Sequence, residues 1–290
     1  MKGDWIKLYL SRKPLFMGSE KSYEDSVFAV FGAPFDATSS YRPGARFAPL
    51  SIRIASENMG VIGVREVKLS DLGDLHPSNS VNKMLKMIWR VVNEIMSDEK
   101  IPVILGGEHT ISLASALAAS RKGYGILVFD AHLDLRNEFM DTRVNHATWL
   151  RRLSERLRGS RIMVVGARRF IDEELSYAKG SGIEVILMKE IEKDLRSSMD
   201  RVKKFTSDLS GIYLSIDIDV LDPSYAPGVG NPEPNGLSLT QLLSLMEAIS
   251  GRLIGLDIVE VNPLFDLGQS SICAAYILSE ALSSSITKSA

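Results

Sequence analysis

Acidic and imidazole side chains cluster in two short stretches that follow apolar segments of the chain. In DAHLD, Asp130, His132 and Asp134 are spaced two residues apart directly after GILVF. In SIDID, Asp217 and Asp219 have the same spacing at the end of another apolar run. Since alternate side chains of a strand point to one side, each set can converge on one point. Acids held together in a dry setting repel each other, and a bound cation relieves the repulsion.

A third polar group follows a further apolar run, in the stretch GGEHT. His109 stands there after the Gly106-Gly107 turn and at the mouth of a predicted helix. Taken alone, His109 is also typical of a capping or core histidine, and DAHLD of a polar strand end. Glu108 is interpreted as an anion at a helix N-terminus, and Asp222, just before a proline, as an N-cap or turn acid.

The three stretches together supply two imidazoles and four carboxylates, from His109, Asp130, His132, Asp134, Asp217 and Asp219. Six ligands are too many for one tetrahedral ion, and the absence of cysteine among them argues against structural zinc. Oxygen donors with two imidazoles suit Mn²⁺, with Fe²⁺, Co²⁺ or Ni²⁺ as substitutes. Two ions bridged by shared carboxylates generate hydroxide near neutral pH. The pattern therefore indicates a binuclear metallohydrolase.

The elements that would position these residues alternate between strands and helices. Short apolar runs predict buried strands at 28–34, 102–107, 125–132, 161–168, 184–188, 211–220 and 253–261. Longer amphipathic patterns predict helices at 82–97, 111–121, 190–208, 239–250 and 270–283. Such alternation is typical of a parallel sheet covered on both faces, an α/β fold. Loops at 36–49 and 223–235 follow strands, where α/β proteins bind ligands. We expect one domain over residues 1–290.

Composition excludes several other classes of protein. The chain has 290 residues, with 34 Lys and Arg against 36 Asp and Glu, so its formal net charge is −2. This balance gives no electrostatic reason to bind nucleic acid or acidic membranes. No apolar stretch reaches the roughly 18 residues that a membrane span needs, and the first residues are broken by charges, unlike a signal peptide. The single cysteine, Cys273, cannot form an internal disulfide, which favours a cytoplasmic location.

Several motifs resemble one known family in order and spacing. GGEHT, DAHLD, SIDIDVLDPSYAPGVGNPEPNG and DIVEVNP are similar to the motifs of the ureohydrolases, the arginase and agmatinase family. GAPFDATSSYRPGARFAP resembles the agmatinase branch, particularly its archaeal members. The resemblance extends from about residue 30 to about residue 280. It implies a single three-layer α/β/α domain, two Mn²⁺ per chain, and a homo-oligomer, either a trimer or a hexamer.

The resemblance also implies a role for each motif residue. One Mn²⁺ would be held by His109, Asp130, Asp134 and Asp217, and the other by Asp130, His132, Asp217 and Asp219, so that Asp130 and Asp217 bridge the ions. Glu260, in DIVEVNP, matches the carboxylate that pairs with the guanidinium of the substrate. His146, in NHATW, matches a histidine that shuttles protons. Without the neighbouring motifs, Glu260 would be interpreted as a strand-end acid paired with a lysine or arginine, and His146 as a polar loop histidine.

The implied substrate is a small guanidine, and we expect agmatine, hydrolysed to putrescine and urea. The loop at 135–148 has no serine but contains Glu138 and Asp141, which would suit a distal ammonium, although Arg136 and Arg143 can pair with them. N1-aminopropylagmatine is the main alternative, followed by guanidinobutyrate, arginine and formiminoglutamate. A non-catalytic family member acting as a partner protein and a mononuclear zinc deacetylase are further alternatives. A dinucleotide site is disfavoured, since GVGNPEPNG lacks the GxGxxG spacing.

Overall fold

A computed structural model describes residues 9–11, 14–19, 21–58, 67–120, 123–157, 159, 161–249 and 251–286. Within these described residues, nine strands form one sheet in the order β1-β3-β2-β4-β9-β8-β5-β6-β7. The short edge strand β1 is antiparallel to β3, and the other eight strands are parallel. The strands are β1 (Leu10–Ser11), β2 (Phe28–Gly32), β3 (Leu69–Leu75), β4 (Ile101–Leu105), β5 (Tyr124–Phe129), β6 (Arg161–Ala167), β7 (Glu184–Leu187), β8 (Gly211–Asp217) and β9 (Leu253–Val259).

Helices lie between most successive strands, as parallel pairing requires. They are α1 (Ala48–Asn58), α2 (Val81–Ser97), α3 (Ser112–Ala119), α4 (Trp149–Arg156), α5 (Asp172–Ser181), α6 (Met188–Lys193), α7 (Leu195–Ser207), α8 (Leu239–Met246) and α9 (Gln269–Ile286). Within the described residues, no helix is both long enough and apolar enough to cross a membrane.

The sheet is buried on both faces, as its apolar strands predict. On β5, Leu127 and Phe129 pack into the core shared with α1 and α6 to α9. Ile126 and Val128 point the other way, into a core shared with α3, α4 and α5. Such alternation explains why β5 is apolar along both of its faces. The predicted α/β fold with three layers is confirmed.

Several elements differ from the prediction. The helix predicted at 190–208 is two helices, because Asp194 is extended (φ −157°) and its side chain caps α7 by accepting the Ser197 N–H at 2.9 Å. Strand β3 and helices α4 and α5 were not predicted, and α1 begins inside the predicted loop at 36–49. Pro49 fits the first turn of α1, where its missing N–H leaves no helical bond unmade. Residues 1–8, 12–13, 121 and 250, which belong to the predicted N-terminal stretch and two helix ends, lie outside the described residues.

Four neighbouring strands at the centre of the sheet end at the same level. The pairing register aligns Leu105 of β4 with Ile258 of β9, Ile258 with Ile216 of β8, and Ile216 with Phe129 of β5. The residues that follow these four positions therefore meet at one carboxyl edge. That edge carries all the predicted metal ligands and Glu260.

Candidate metal centre and active site

The carboxylates of the centre are fixed by the backbone at the strand ends. Asp130 Oδ1 accepts the His132 N–H at 2.6 Å, and Asp217 Oδ1 accepts the Asp219 N–H at 2.9 Å. Asp219 Oδ1 in turn accepts the Ala131 N–H at 3.1 Å, which links the end of β8 to the end of β5. Each of these three acids thus uses one oxygen to hold its orientation and keeps its second oxygen for the centre.

The second oxygens of Asp130 and Asp217, together with one oxygen of Asp134, converge on His109. Its Nδ1 lies 3.1 Å from Asp130 Oδ2, 3.2 Å from Asp134 Oδ2 and 3.2 Å from Asp217 Oδ2. Although fully buried, this nitrogen has no hydrogen bond of acceptable geometry. A buried ring nitrogen aimed between three carboxylates is the arrangement expected of a metal ligand, since only a cation satisfies all four groups at once. The structure therefore brings together the four residues predicted to bind the first ion: His109, Asp130, Asp134 and Asp217.

A second group of possible ligands adjoins the first and shares Asp130 with it. His132 Nδ1 lies 3.0 Å from Asp219 Oδ2 and 3.5 Å from Asp130 Oδ1. The ligand atoms of Asp130, His132 and Asp219 all lie within 4.8 Å of one another. The structure thus brings all six predicted ligands to one place in two adjoining groups.

Burial and like charge make this cluster electrostatically costly. Burial, together with the negative charges of Asp219 and Asp130, raises the pKa of Asp217 well above its ordinary value. Burial and the charge of Asp130 raise the pKa of Asp134 to about 6. Burial lowers the pKa of His109, but the surrounding aspartates outweigh it and hold that pKa well above the usual value. The donor set therefore fits divalent cations, whose charge would offset the repulsion.

A buried chain of hydrogen bonds holds the far side of the His109 ring. His109 Nε2 lies 3.1 Å from Ser215 Oγ, and the Ser215 hydroxyl donates to Asp257 Oδ1 at 2.6 Å. Tyr213 donates to the other oxygen of Asp257 at 2.6 Å. Because the Ser215 proton is committed to Asp257, Ser215 accepts from His109 Nε2–H, so that the neutral form of the ring has its lone pair on Nδ1, toward the carboxylates. Sequence analysis missed Asp257; its signal is an acid in the middle of the apolar run LIGLDIV.

Trp149 contacts two residues of the centre. Its ring packs on His109 with centroids 4.5 Å apart, and its Nε1–H donates to Asp134 Oδ2 at 2.8 Å. Asp134 itself has a positive φ of 51°, a backbone conformation that residues other than glycine adopt only at a cost in free energy. Sequence analysis missed Trp149 as well.

Glu260 lies beside the centre with its carboxylate facing the cavity. Its Oε1 accepts the His109 N–H at 2.8 Å, and its backbone has a φ of 63°. Burial, followed by the charge of Glu108, raises its pKa to about 8. Among the described residues, no lysine or arginine forms an ion pair with Glu260, so the interpretation of a strand-end acid paired with a base finds no partner there.

His146 lies on the cavity wall, between two hydroxyl groups. Its Nε2 is 3.2 Å from Ser40 Oγ and its Nδ1 is 3.4 Å from Thr38 Oγ1. The edge of its ring meets Phe139, with centroids 5.7 Å apart. Burial lowers the pKa of His146 to about 4, so the imidazole is neutral at pH 7. The loop that supplies the two hydroxyls was predicted as a ligand-side loop, but its serine and threonine were not singled out.

A cavity of about 480 Å³ opens onto the centre. Its wall includes His109, His132, Asp134, Asp217, Asp219, His146 and Glu260, and further out Arg136, Arg169, Glu174 and Glu233. Glu138 and Asp141 are exposed and do not line it, so the expectation that these two acids face the substrate tail is wrong.

The acids that do line the outer cavity are Glu174 and Glu233. Glu174 lies 3.9 Å from Arg136, and Glu233 lies 3.7 Å from Arg169. Glu174 stands in the first turn of α5 among three consecutive acids, so its sequence signal is that of helix N-terminal acids.

Comparisons with known proteins agree with this geometry. The profile of the arginase family matches residues 26–283. An agmatinase of Pyrococcus horikoshii is 34% identical over 265 residues, covering 88% of this chain and 90% of that protein. An N(1)-aminopropylagmatine ureohydrolase of Thermococcus kodakarensis is 34% identical over 249 residues, covering 82% of this chain and 83% of that protein.

A solved structure has the same fold over nearly its whole length. The agmatine ureohydrolase of Thermoplasma volcanium superposes with a TM-score of 0.88 at 34% identity, covering 98% of this chain and 97% of that chain. Family profile, relatives and fold agree with the predicted resemblance. The chain belongs to the arginase family and is a ureohydrolase enzyme.

Proposed function

We propose that this enzyme hydrolyses the guanidinium group of agmatine to putrescine and urea, using two Mn²⁺ per chain. The observation that carries the proposal is the meeting of the six-residue acid and imidazole cluster with the buried carboxylate of Glu260 in one cavity. Relatives that act on agmatine support the choice of substrate.

Two groups of residues would hold the metals. One ion would be held by His109, Asp130, Asp134 and Asp217, and the other by Asp130, His132, Asp217 and Asp219; the contacts among these side chains support the assignment. Carboxylates and imidazoles without thiolates favour Mn²⁺ over softer metals. When bound, the ions supply positive charge to the reacting oxygen and lower the pKa of water so that it attacks at neutral pH.

Glu260 would orient the guanidinium. Its Oε1 is held by the His109 N–H, while its Oε2 remains for the substrate, so the carboxylate can accept a charge-assisted hydrogen bond in a fixed direction. Burial strengthens this pairing because little water competes for either charge. The guanidinium carbon is then held beside the centre, which removes much of the entropic cost of attack.

His146 would give a proton to the leaving amine. Guanidinium hydrolysis releases a nitrogen that must be protonated as it departs, and a positioned imidazole performs such transfers. His146 is on the cavity wall and neutral at pH 7, so it would take up a proton from the attacking water before it gives one to the amine.

The outer cavity would receive the tail of the substrate. Glu174 and Glu233 provide negative charge for an ammonium group, although Arg136 and Arg169 offset part of it. Two separate acids also match a tail with two ammonium groups, which makes N1-aminopropylagmatine the second candidate, as in the Thermococcus relative.

The test is urea release by the Mn²⁺-loaded enzyme, with agmatine, N1-aminopropylagmatine, guanidinobutyrate and arginine offered separately. We expect kcat/KM to be highest for agmatine; preference for the aminopropyl compound would select the second candidate. Preference for guanidinobutyrate or arginine would overturn the proposal of a cationic tail. Glu174→Gln should raise KM for agmatine about tenfold through a lost charged contact, whereas the matched change Glu138→Gln, on the exposed loop, should leave KM unaltered.

We also propose that residues 1–290 act as one domain, that the enzyme forms a trimer or hexamer, and that it works in the cytoplasm. One continuous sheet supplies all the proposed ligands, which supports the first point. The family resemblance supports the second, and the lone Cys273 supports the third. Size-exclusion chromatography with light scattering tests the oligomer directly.

A further inference from the structure

Glu108 is a fully buried carboxylate next to the centre, but it is not among the proposed ligands. Its oxygens are occupied by donors from two segments of the chain. Thr38 donates its N–H to both oxygens, at 3.2 and 3.0 Å, and its hydroxyl to Oε1 at 2.6 Å. The hydroxyls of Ser39 and Thr110 donate at 3.1 and 3.0 Å. Glu108 therefore anchors the loop after β2 to the segment that carries His109.

The Thr38 hydroxyl connects this anchor to His146. A hydroxyl has one proton to donate and two lone pairs to accept with. At 2.6 Å, the Thr38 proton is committed to Glu108 Oε1. The lone pairs of Thr38 Oγ1 face His146, whose backbone N–H lies at 3.2 Å and whose ring Nδ1 lies at 3.4 Å. Thr38 Oγ1 can therefore only accept a hydrogen bond from the His146 ring, so Nδ1 must be the donor.

We infer that Glu108 and Thr38 fix the tautomer of His146, placing its single proton on Nδ1 and leaving Nε2 as the basic atom. This inference rests on the proposed function, in which His146 transfers a proton. Glu108 and Thr38 are positioning residues, because their effect on the proton transfer is exerted through the His146 ring.

The opposite side of the ring has the complementary arrangement. Ser40 Oγ, on the cavity wall, lies 3.2 Å from His146 Nε2 and can donate to it. Nε2 is thus the nitrogen that faces the cavity. In the transfer, Nε2 takes up the proton that the attacking water loses, which gives an imidazolium, and then releases it to the leaving amine, so that the ring returns to the Nδ1–H form. The proton on Nδ1 stays in place throughout.

The tautomer can be measured without any substrate. Magic-angle-spinning ¹⁵N NMR distinguishes protonated from unprotonated ring nitrogens, and the chain has only four histidines. The enzyme would be loaded with diamagnetic Zn²⁺, and His146→Asn would identify the His146 signals. We expect the proton on Nδ1 in the parent enzyme. Thr38→Val, which keeps the shape and removes the hydroxyl, should move it to Nε2 or populate both forms.

Kinetics supply the second readout. Thr38→Val should lower kcat by at least about tenfold, because general acid–base catalysis is commonly worth more than that, with KM changed by less than about threefold. Thr38→Ser keeps the hydroxyl and should restore kcat to within about threefold of the parent value. Ser39→Ala is the matched control, since it removes a hydroxyl from the same carboxylate without touching His146.

Two results would overturn the inference: a parental proton on Nε2, or a Thr38→Val enzyme with the parental tautomer and kcat. Both results can be distinguished from failure of the proposed function, which would be the absence of guanidine hydrolysis. If none of the guanidines is hydrolysed, the NMR comparison of parent and Thr38→Val still decides the tautomer.

Discussion

Asp71 on β3 and the aspartates of the metal centre are all buried at the same sheet, yet they face different partners. Asp71 faces Arg53 of α1, whose Nε and Nη2 donate to its two oxygens at 2.7 and 2.9 Å. Arg53 also donates to Asp74 at 2.5 Å and to the Gly73 carbonyl at 3.0 Å. The charges of this pair are balanced by the chain itself.

The aspartates of the centre have no such partner. Across the part of the chain that the structure describes, their ion-pair partners are His109 and His132 alone. Four carboxylates thus share two imidazoles. The comparison teaches that buried acid has two uses here: the Arg53 cluster is complete on folding and ties α1 to β3, whereas the centre is completed only by cations from outside. Perturbing each cluster should therefore give opposite patterns of stability and activity.

The largest effect is expected from Asp219→Ala. Removing this proposed ligand should lower kcat by at least about 10³-fold and reduce bound Mn²⁺, because the metals generate the nucleophile. The free energy of unfolding of the metal-free protein should change by less than about 1 kcal/mol, since lost repulsion offsets the lost hydrogen bond from Ala131. Elemental analysis, urea-release assays and denaturant unfolding measure the three quantities. Full activity with one ion per chain would contradict a binuclear centre.

Arg53→Met should show the reverse pattern. It leaves Asp71 buried without its counter-charge, which costs about 3–5 kcal/mol in the free energy of unfolding. Bound Mn²⁺ should match that of the parent at a temperature where the variant is folded. Denaturant unfolding gives the free energy, and the double variant Arg53→Met/Asp71→Asn should recover part of it. A loss below about 1 kcal/mol would mean that the pair is not what ties α1 to β3.

Glu260→Gln should separate substrate binding from metal binding. The variant loses the buried charge proposed to pair with the guanidinium, so kcat/KM should fall roughly 10²-fold, within the cost of breaking a desolvated charge pair. Both ions should remain, because Glu260 is not a proposed ligand. Steady-state kinetics and metal content check these two expectations. Parental kinetics would remove Glu260 from the proposed substrate site.

The smallest effect is expected from Asp257→Asn, behind the centre. Asparagine replaces one acceptor oxygen of Asp257 with an NH2 donor, which disturbs the hydrogen bonds that direct His109, so Mn²⁺ affinity should weaken about 10–100-fold. Excess Mn²⁺ should restore most of kcat, unlike in Asp219→Ala. A metal titration followed by activity measures both values. If affinity is unchanged, the Ser215–Asp257 chain does not orient His109.

The candidate ligands were predictable because each follows an apolar strand. DAHLD and SIDID place polar metal-binding side chains at every second residue where a buried strand must end, and parallel strands bring such ends together. The sequence evidence for His109 as a ligand was weak by itself, and only the neighbouring DAHLD and SIDID motifs supported it. The same local signals predicted the central strands of the sheet.

What the sequence did not reveal depends on distant partners. Strand β3 reads LSDLGDL, and its acids argue against a buried strand unless Arg53 of α1 is known to neutralise them. The sequence did not show that Glu174 faces the cavity and Glu138 faces solvent. The packing of α5 and of the loop at 135–148 decides which of these acids lines the cavity. Contacts of this kind join residues far apart in sequence and leave no periodic pattern.

Trp149 is an intrinsic fluorescent probe of the metal centre. The indole stacks on His109 and donates to Asp134, so it touches two proposed ligands of the same ion. Of the three tryptophans in the chain, Trp89 is largely exposed and Trp5 lies outside the described residues. Paramagnetic quenching of indole emission should therefore follow Mn²⁺ occupancy in real time. Trp149, which packs against the proposed ligands, can therefore also report how much metal is bound.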